Sequence, residues 1–309
     1  MENQPKQEHK PAHAIPVHET KSWYDKSYKW LLLLPIIFLL FAIVYLTHFY
    51  YTNGDIIYKD VSLTGGTTVT VFDENVDVDK LTADLKGDFS DLSVRKLSDI
   101  RTGKQAGFTF ETKEDAETTK AALEKYLGYT LDDKNSSIEF SGSSLSSGFY
   151  QQLRLAILIA FILMAAVVFI IFRTLVPGGA VVLSAFADIV MTVVVVDLMG
   201  INLSSAGIIA FLMLIGYSVD TDILLTSRVL KRAEGTVNER IFGAFKTGIT
   251  MTLTAVASVL VCLLIIYSFS ETLRQIFTIL LIGLFFDIFN TWVTNASILK
   301  WYAEAKNIR

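Results

Sequence analysis

The chain has 309 residues, 52% hydrophobic and 19% charged, with a mean hydropathy of +0.45 and a formal net charge of −4. A disordered chain needs few apolar and many charged residues, so that class is excluded. A single water-soluble domain is excluded by distribution: 29 of the 58 charged residues lie within 55–150, while six other stretches carry almost none.

Residues 1–28 form a polar tail with Lys6, Lys10, Lys21 and Lys26, too long and too mixed in charge for a signal peptide. A helix needs about 20 mostly apolar residues to cross the ~30 Å hydrocarbon layer, and residues 29–51 are the first such stretch. Residues 52–152 then read as a water-exposed domain. Within it Thr67–Phe72 has strand composition, Asp79–Leu85 reads as a short helix behind Asp77, and Leu92–Leu97 and Gly107–Glu111 as hairpin strands. Lys113–Leu127 is an amphipathic helix and Ser137–Phe140 a last strand. The order β-α-β-β-α-β predicts a ferredoxin-like α+β head, a fold that hosts many functions and identifies none. Gly65 and Gly66 predict a tight turn into the first strand. A phosphate loop would need a Lys-Ser/Thr and a helix after it, and neither follows.

Residues 153–302 hold five more spans, near 153–172, 177–199, 204–225, 249–269 and 276–299, with a loop at 226–248 and a tail at 303–309. In that loop Asn238–Phe245 (NERIFGAF) reads as a short amphipathic helix lying at the interface. Lysine and arginine collect in the N-terminal tail, at Arg173, in the loop after span four and at the C-terminus. The positive-inside rule therefore predicts cytoplasmic termini and an extracytoplasmic head. The expected architecture is an α-helical, multi-pass cell-membrane protein with six transmembrane helices and one ferredoxin-like domain.

Between Asp55 and Gln152 there are 18 acidic and 11 basic residues, and no basic stripe that could neutralise phosphates, so a nucleic-acid partner is not expected. Cys262 is the single cysteine, which excludes an intramolecular disulfide and any Cys/His metal cluster; no cofactor is implied. There is no Ser-His or Cys-His pair, no His-Glu-x-x-His and no Gly-x-Gly-Asp, so an enzyme is not expected.

The informative residues are acids inside spans: Asp188 in span three, Asp220 and Asp222 in span four and Asp287 in span six. Each central carboxylate costs about 2.5–3.5 kcal/mol on an insertion scale. A carboxyl in hydrocarbon is favoured neutral, the requirement for a group that takes up and releases protons. Two readings stand: a proton relay, or interhelical glue to a Ser or Thr of the next span. The number of spans that contribute favours the relay. Asp220 and Asp222 are ~200° apart around a helix, and Asp220 shares its face with Ala206 and Ala210, one turn after Gly216, which assigns it to the buried seam. Asp287 has Asn290 and Thr291 within one turn, and a hydrogen bond to one or the other is the expectation for it. Arg228 reads as a positive-inside anchor, and Lys246 either snorkels to headgroups or pairs with a span-four acid.

Gly216–Arg228 (GYSVDTDILLTSR) resembles the fourth-span motif of the SecF family, membrane subunits of the protein-export machinery and half-sized relatives of RND transporters. Val61–Gly66 (VSLTGG) resembles the family's glycine-pair motif, Asp188 falls where the family has an acid, and Lys246–Thr254 (KTGITMTLT) resembles its Thr-rich start of span five. The resemblance covers about residues 28–302. It implies pairing with SecD, association with a SecYEG-type channel, contact with membrane lipid, and use of the proton gradient to help move an unfolded exported polypeptide. Where the family has Asn-Asp-Thr this chain has Asp220-Thr221-Asp222, Ser62 replaces an Asp and Lys246 an Arg, departures that resemble archaeal members. The alternatives are an RND-type small-molecule or lipid exporter acting as a dimer, and a non-transporting assembly scaffold.

Overall fold

The computed structural model describes residues 23–89, 92–99, 102–231, 235–267 and 270–308; most of the N-terminal tail and Arg232 lie outside them. Six helical rods are long and apolar enough to cross a membrane. They are α1 (Trp23–Asn53), α5 (Ser143–Phe172), α6 (Leu175–Leu198), α7 (Ser205–Lys231), α8 (Val237–Ile266), and α9 (Glu271–Phe289) continued by a π-helical turn (Asn290–Asn295) and α10 (Ala296–Ala305). Between α1 and α5 lies the head: α2 (Val61–Thr64), β1 (Gly66–Val71), α3 (Val78–Leu85), β2 (Ser93–Ser98), β3 (Gln105–Thr112), α4 (Ala116–Leu127) and β4 (Ser136–Ser141).

The four strands form one antiparallel sheet in the order β2-β3-β1-β4, so the β-α-β-β-α-β chain folds as expected. Strand alternation sends Val69 and Val71 into a core with Phe108, Phe110, Leu81 and Leu123, beneath α3 and α4. Thr68 and Thr70 point from the other face toward the membrane bundle. Gly65 and Gly66 carry φ of +90° and +137° as the chain leaves α2 for β1. A Cβ at Gly66 would fall on the carbonyl oxygen of Thr112 in the neighbouring strand, so the pair serves close approach as well as the turn.

In the bundle α6 and α7 are the interior helices, whereas α1, α5 and α8 turn most of their apolar surface outward, as lipid-facing helices do. Helix ends differ from the sequence expectation. Predicted as a loop at 226–248, the segment after span four is mostly helix: α7 runs to Lys231 and α8 starts at Val237. The reason is a capping box, in which Thr236 Oγ1 accepts from the Glu239 amide while the Glu239 carboxylate accepts from the Thr236 amide. Asn238–Phe245 is therefore the first two turns of the fifth span and not a separate interfacial helix. Similarly, α1 begins at Trp23 and α5 at Ser143, each extending its span beyond the apolar run.

At the end away from the head, α1, α8 and α10 are tied by polar groups. Lys300, one of the C-terminal basic residues behind the positive-inside reading, is 1% exposed; it pairs with Asp25 and donates to Asn238 Oδ1 at 2.7 Å. Its ammonium also sits 4.4 Å from the centre of the Tyr24 ring. Tyr28 donates to Glu304 at 2.6 Å. At the head end, Leu203 in the α6–α7 loop donates its amide to Tyr58 and accepts from Asp60, which fastens the stem of the head to the bundle.

Candidate functional site

Asp188, Asp222 and Asp287 converge from α6, α7 and α9 on one buried point, each at most 1% exposed. Helical periodicity explains the convergence: Ser218, Thr221 and Asp222 share one side of α7, and Asp287, Asn290, Thr291, Thr294 and Asn295 form one polar stripe along the last rod. The π-helical turn lies on that stripe, a distortion frequent at functional sites.

The hydrogen bonds are specific. Asp188 accepts from Ser218 Oγ at 2.5 Å and from Asn290 Nδ2 at 2.7 Å. Asp222 accepts from Asn295 Nδ2 at 2.7 Å. Asp287 accepts from the hydroxyls of Thr221 at 3.0 Å and Thr291 at 3.2 Å, with Thr252 of α8 at 3.5 Å. Thr294 donates to Asn290 Oδ1, which fixes that amide with its nitrogen toward Asp188. Among the described residues no lysine or arginine forms an ion pair with any of the three. Chemically this is a desolvated group of three carboxyls without a cation. Its serine and threonine hydroxyls can donate to a carboxylate or accept from a carboxylic acid.

The structure corrects the placement of Asp220. Its side chain is exposed on the outward face of α7, with Met213, Gly216 and Tyr217, so Asp222 and not Asp220 occupies the seam within this chain. Small residues one turn earlier suggested burial, but the inward stripe of α7 is the one carrying Leu214, Ser218, Thr221 and Leu225. Gly216 itself has open space around its Cα. Arg228 donates to the Gly243 carbonyl at 2.5 Å and so joins α7 to α8. Lys246 is exposed with its ammonium 4.9 Å from the Phe242 ring, turned to its own helix and forming no ion pair with a span-four acid among the described residues. Asn290 serves Asp188 rather than Asp287; Thr291 serves Asp287. Ser218, Thr221, Thr252 and Asn295 were not singled out from sequence. The signal was present for Asn295, since polar residues at 287, 290, 291, 294 and 295 repeat at helical spacing in an otherwise apolar span.

Residues 121–305 match the family "Protein export membrane protein SecD/SecF, C-terminal". The protein-export membrane protein SecF of Methanocaldococcus jannaschii is 38% identical over 283 residues, spanning 90% of this chain and 96% of the relative. The SecF of Methanolacinia petrolearia is 38% identical over 280 residues, 89% of this chain and 94% of the relative. That of Pyrococcus furiosus is 34% identical over 275, 89% of this chain and 90% of the relative. These relatives are archaeal, in line with the motif departures. Among solved structures, SecDF from Thermus thermophilus, a translocon-associated membrane protein, superposes with a TM-score of 0.72 at 18% identity, over 90% of this chain and 38% of that one. At that identity the likeness is one of fold.

Proposed function

The chain belongs to the SecF family of protein-export membrane proteins, and from that premise we propose that it pairs with SecD beside a SecYEG-type channel and uses the proton gradient to assist polypeptide export. One observation carries this reading: α7 bears an acid on each side. Asp222 faces inward to Asp188 and Asp287, while Asp220 faces outward near the middle of α7. An outward carboxyl facing lipid costs about 2.5–3.5 kcal/mol, a cost that a partner's spans packed against Gly216, Tyr217 and Asp220 would remove. The exposed Lys246 lies on the helix beside it and could serve the same contact. Three buried carboxyls with no cation paired to them among the described residues repel one another when charged, which supports a role in taking up and releasing protons. Helix α7 then links a proton-holding core to a partner surface, and a change on one side shifts the other. The head, on the extracytoplasmic side by the charge rule, is the part that meets the unfolded chain.

Asp220→Asn tests this directly. Gradient-dependent export by vesicles should be abolished while co-purification with SecD is kept. Undiminished export by the variant would remove Asp220 from the coupling route.

A further inference from the structure

Between the open face of the head sheet and the head-side ends of α7 and α9 lies a polar cavity of ≈ 250 Å³. The head contributes Arg95, Glu111 and Glu139 to its wall; the stem contributes Asp60 and Ser62, and the bundle contributes Ser205 and Gln275. Asp60 sits at the fastening point. Its amide donates to Leu203 of the α6–α7 loop at 3.1 Å, its carboxylate accepts from the Ser62 amide and hydroxyl at 2.7 and 2.5 Å, and Ser62 Oγ in turn accepts from the Ser205 amide at 2.9 Å. Across the cavity Glu111 is paired with Arg95 and receives the Asn202 amide at 3.5 Å.

The charges there do not balance. Among the described residues that line the cavity, the three carboxyls stand beside one cation, Arg95; Lys59, next in the chain, is turned to Asp55 at 3.0 Å, and the bundle side contributes hydroxyls and the Gln275 amide. We propose that Asp60 gates the docking of the head on the bundle: protonated, it lets the sheet settle across the cavity; ionised, it repels Glu111 and Glu139 and draws water in, so the head lifts. This goes beyond the proton role of the membrane carboxyls and needs no export to be observed. Burial, followed by the nearby Glu111, pushes the Asp60 carboxyl from 3.8 up to about 7, against the hydrogen bonds from Ser62 and the Arg95 charge. A carboxyl whose docked pKa is raised favours docking in acid. The contribution is fully present below 3.8 and is lost as the pH rises to about 7.

The test is a distance measurement by pulsed electron paramagnetic resonance on the full chain in lipid nanodiscs. Spin labels go on Lys134→Cys in the head and Leu273→Cys in the bundle, in a Cys262→Ser background; neither labelled position lines the cavity. Between pH 5 and 7 the lifted-to-docked ratio should rise by up to about tenfold per pH unit, then level off by pH 8. Asp60→Asn should hold the docked distance at every pH. A wild-type distribution that does not change with pH, or an equal response in Asp60→Asn, overturns the proposal. Should Asp60→Asn fail to fold, Glu111→Gln keeps the test: losing the repelling charge should move the transition to lower pH, and an unmoved midpoint overturns it.

Discussion

Two carboxyls separated by a single residue on α7 live in opposite media. Asp222 is fully buried beside Asn295, and Asp220 faces outward. Sequence geometry separated the two faces, since ~200° of helical rotation lies between them, but it could not say which face looks inward. Both stripes contain small and apolar residues; the difference is which one α6 and α9 cover. The Asp222–Asn295 contact is open to a thermodynamic test. Asn295→Leu alone leaves a buried carboxyl oxygen without its donor and should cost about 1–3 kcal/mol, whereas Asp222→Leu with Asn295→Leu should cost less, because an apolar pair replaces the polar one. Thermal unfolding in detergent across the double-mutant cycle measures the difference. A double variant whose loss equals the sum of the two single losses would show that the contact is not a pair.

Elements show the same division. The six spans and the order of the head's strands and helices were legible, because an apolar run of span length and a change of period between 3.6 and 2 are local signals. The helix ends were less so. Thr236 and Glu239 form a capping box that was there to read, yet the basic and polar residues around it suggested a loop. The π-helical turn at Asn290–Asn295 had no local signature at all; it arises where the last rod must present several polar side chains to α6 and α7 together. Lys300 makes the point for charge. Positive-inside reasoning counts it only as a flanking charge, whereas the folded α1 and α8 supply Asp25 and Asn238 and enclose it. Lys300→Met should therefore leave Asp25, itself only 20% exposed, with the Asn238 amide but without the Lys300 charge, and lower stability on the order of 2–3 kcal/mol. Lys300→Arg should lose less in the same unfolding assay, since it keeps the charge.

For the whole molecule, the orientation expected from charge is open to a direct test. If the positive-inside reading holds, a maleimide that cannot cross membranes should label Glu117→Cys on the head in intact cells, and Lys306→Cys only after permeabilisation. Both side chains are exposed, so failure to label would report sidedness and not burial. The reverse pattern would invert the topology and place the cavity at Asp60 on the cytoplasmic side.

An average of 52% hydrophobic residues with charge concentrated in one segment sufficed to determine six spans, one head and the presence of costly acids within the membrane. Those conclusions rest on transfer free energies and periodicity, which depend on each segment alone. Only the tertiary structure decided that Asp188, Asp222 and Asp287 meet, that Asp220 does not join them, and that Asp60 stands between the head and the bundle. Such facts depend on which faces of distant segments are covered. Coverage is set by the packing of all the helices at once, a property no single stretch of the chain contains.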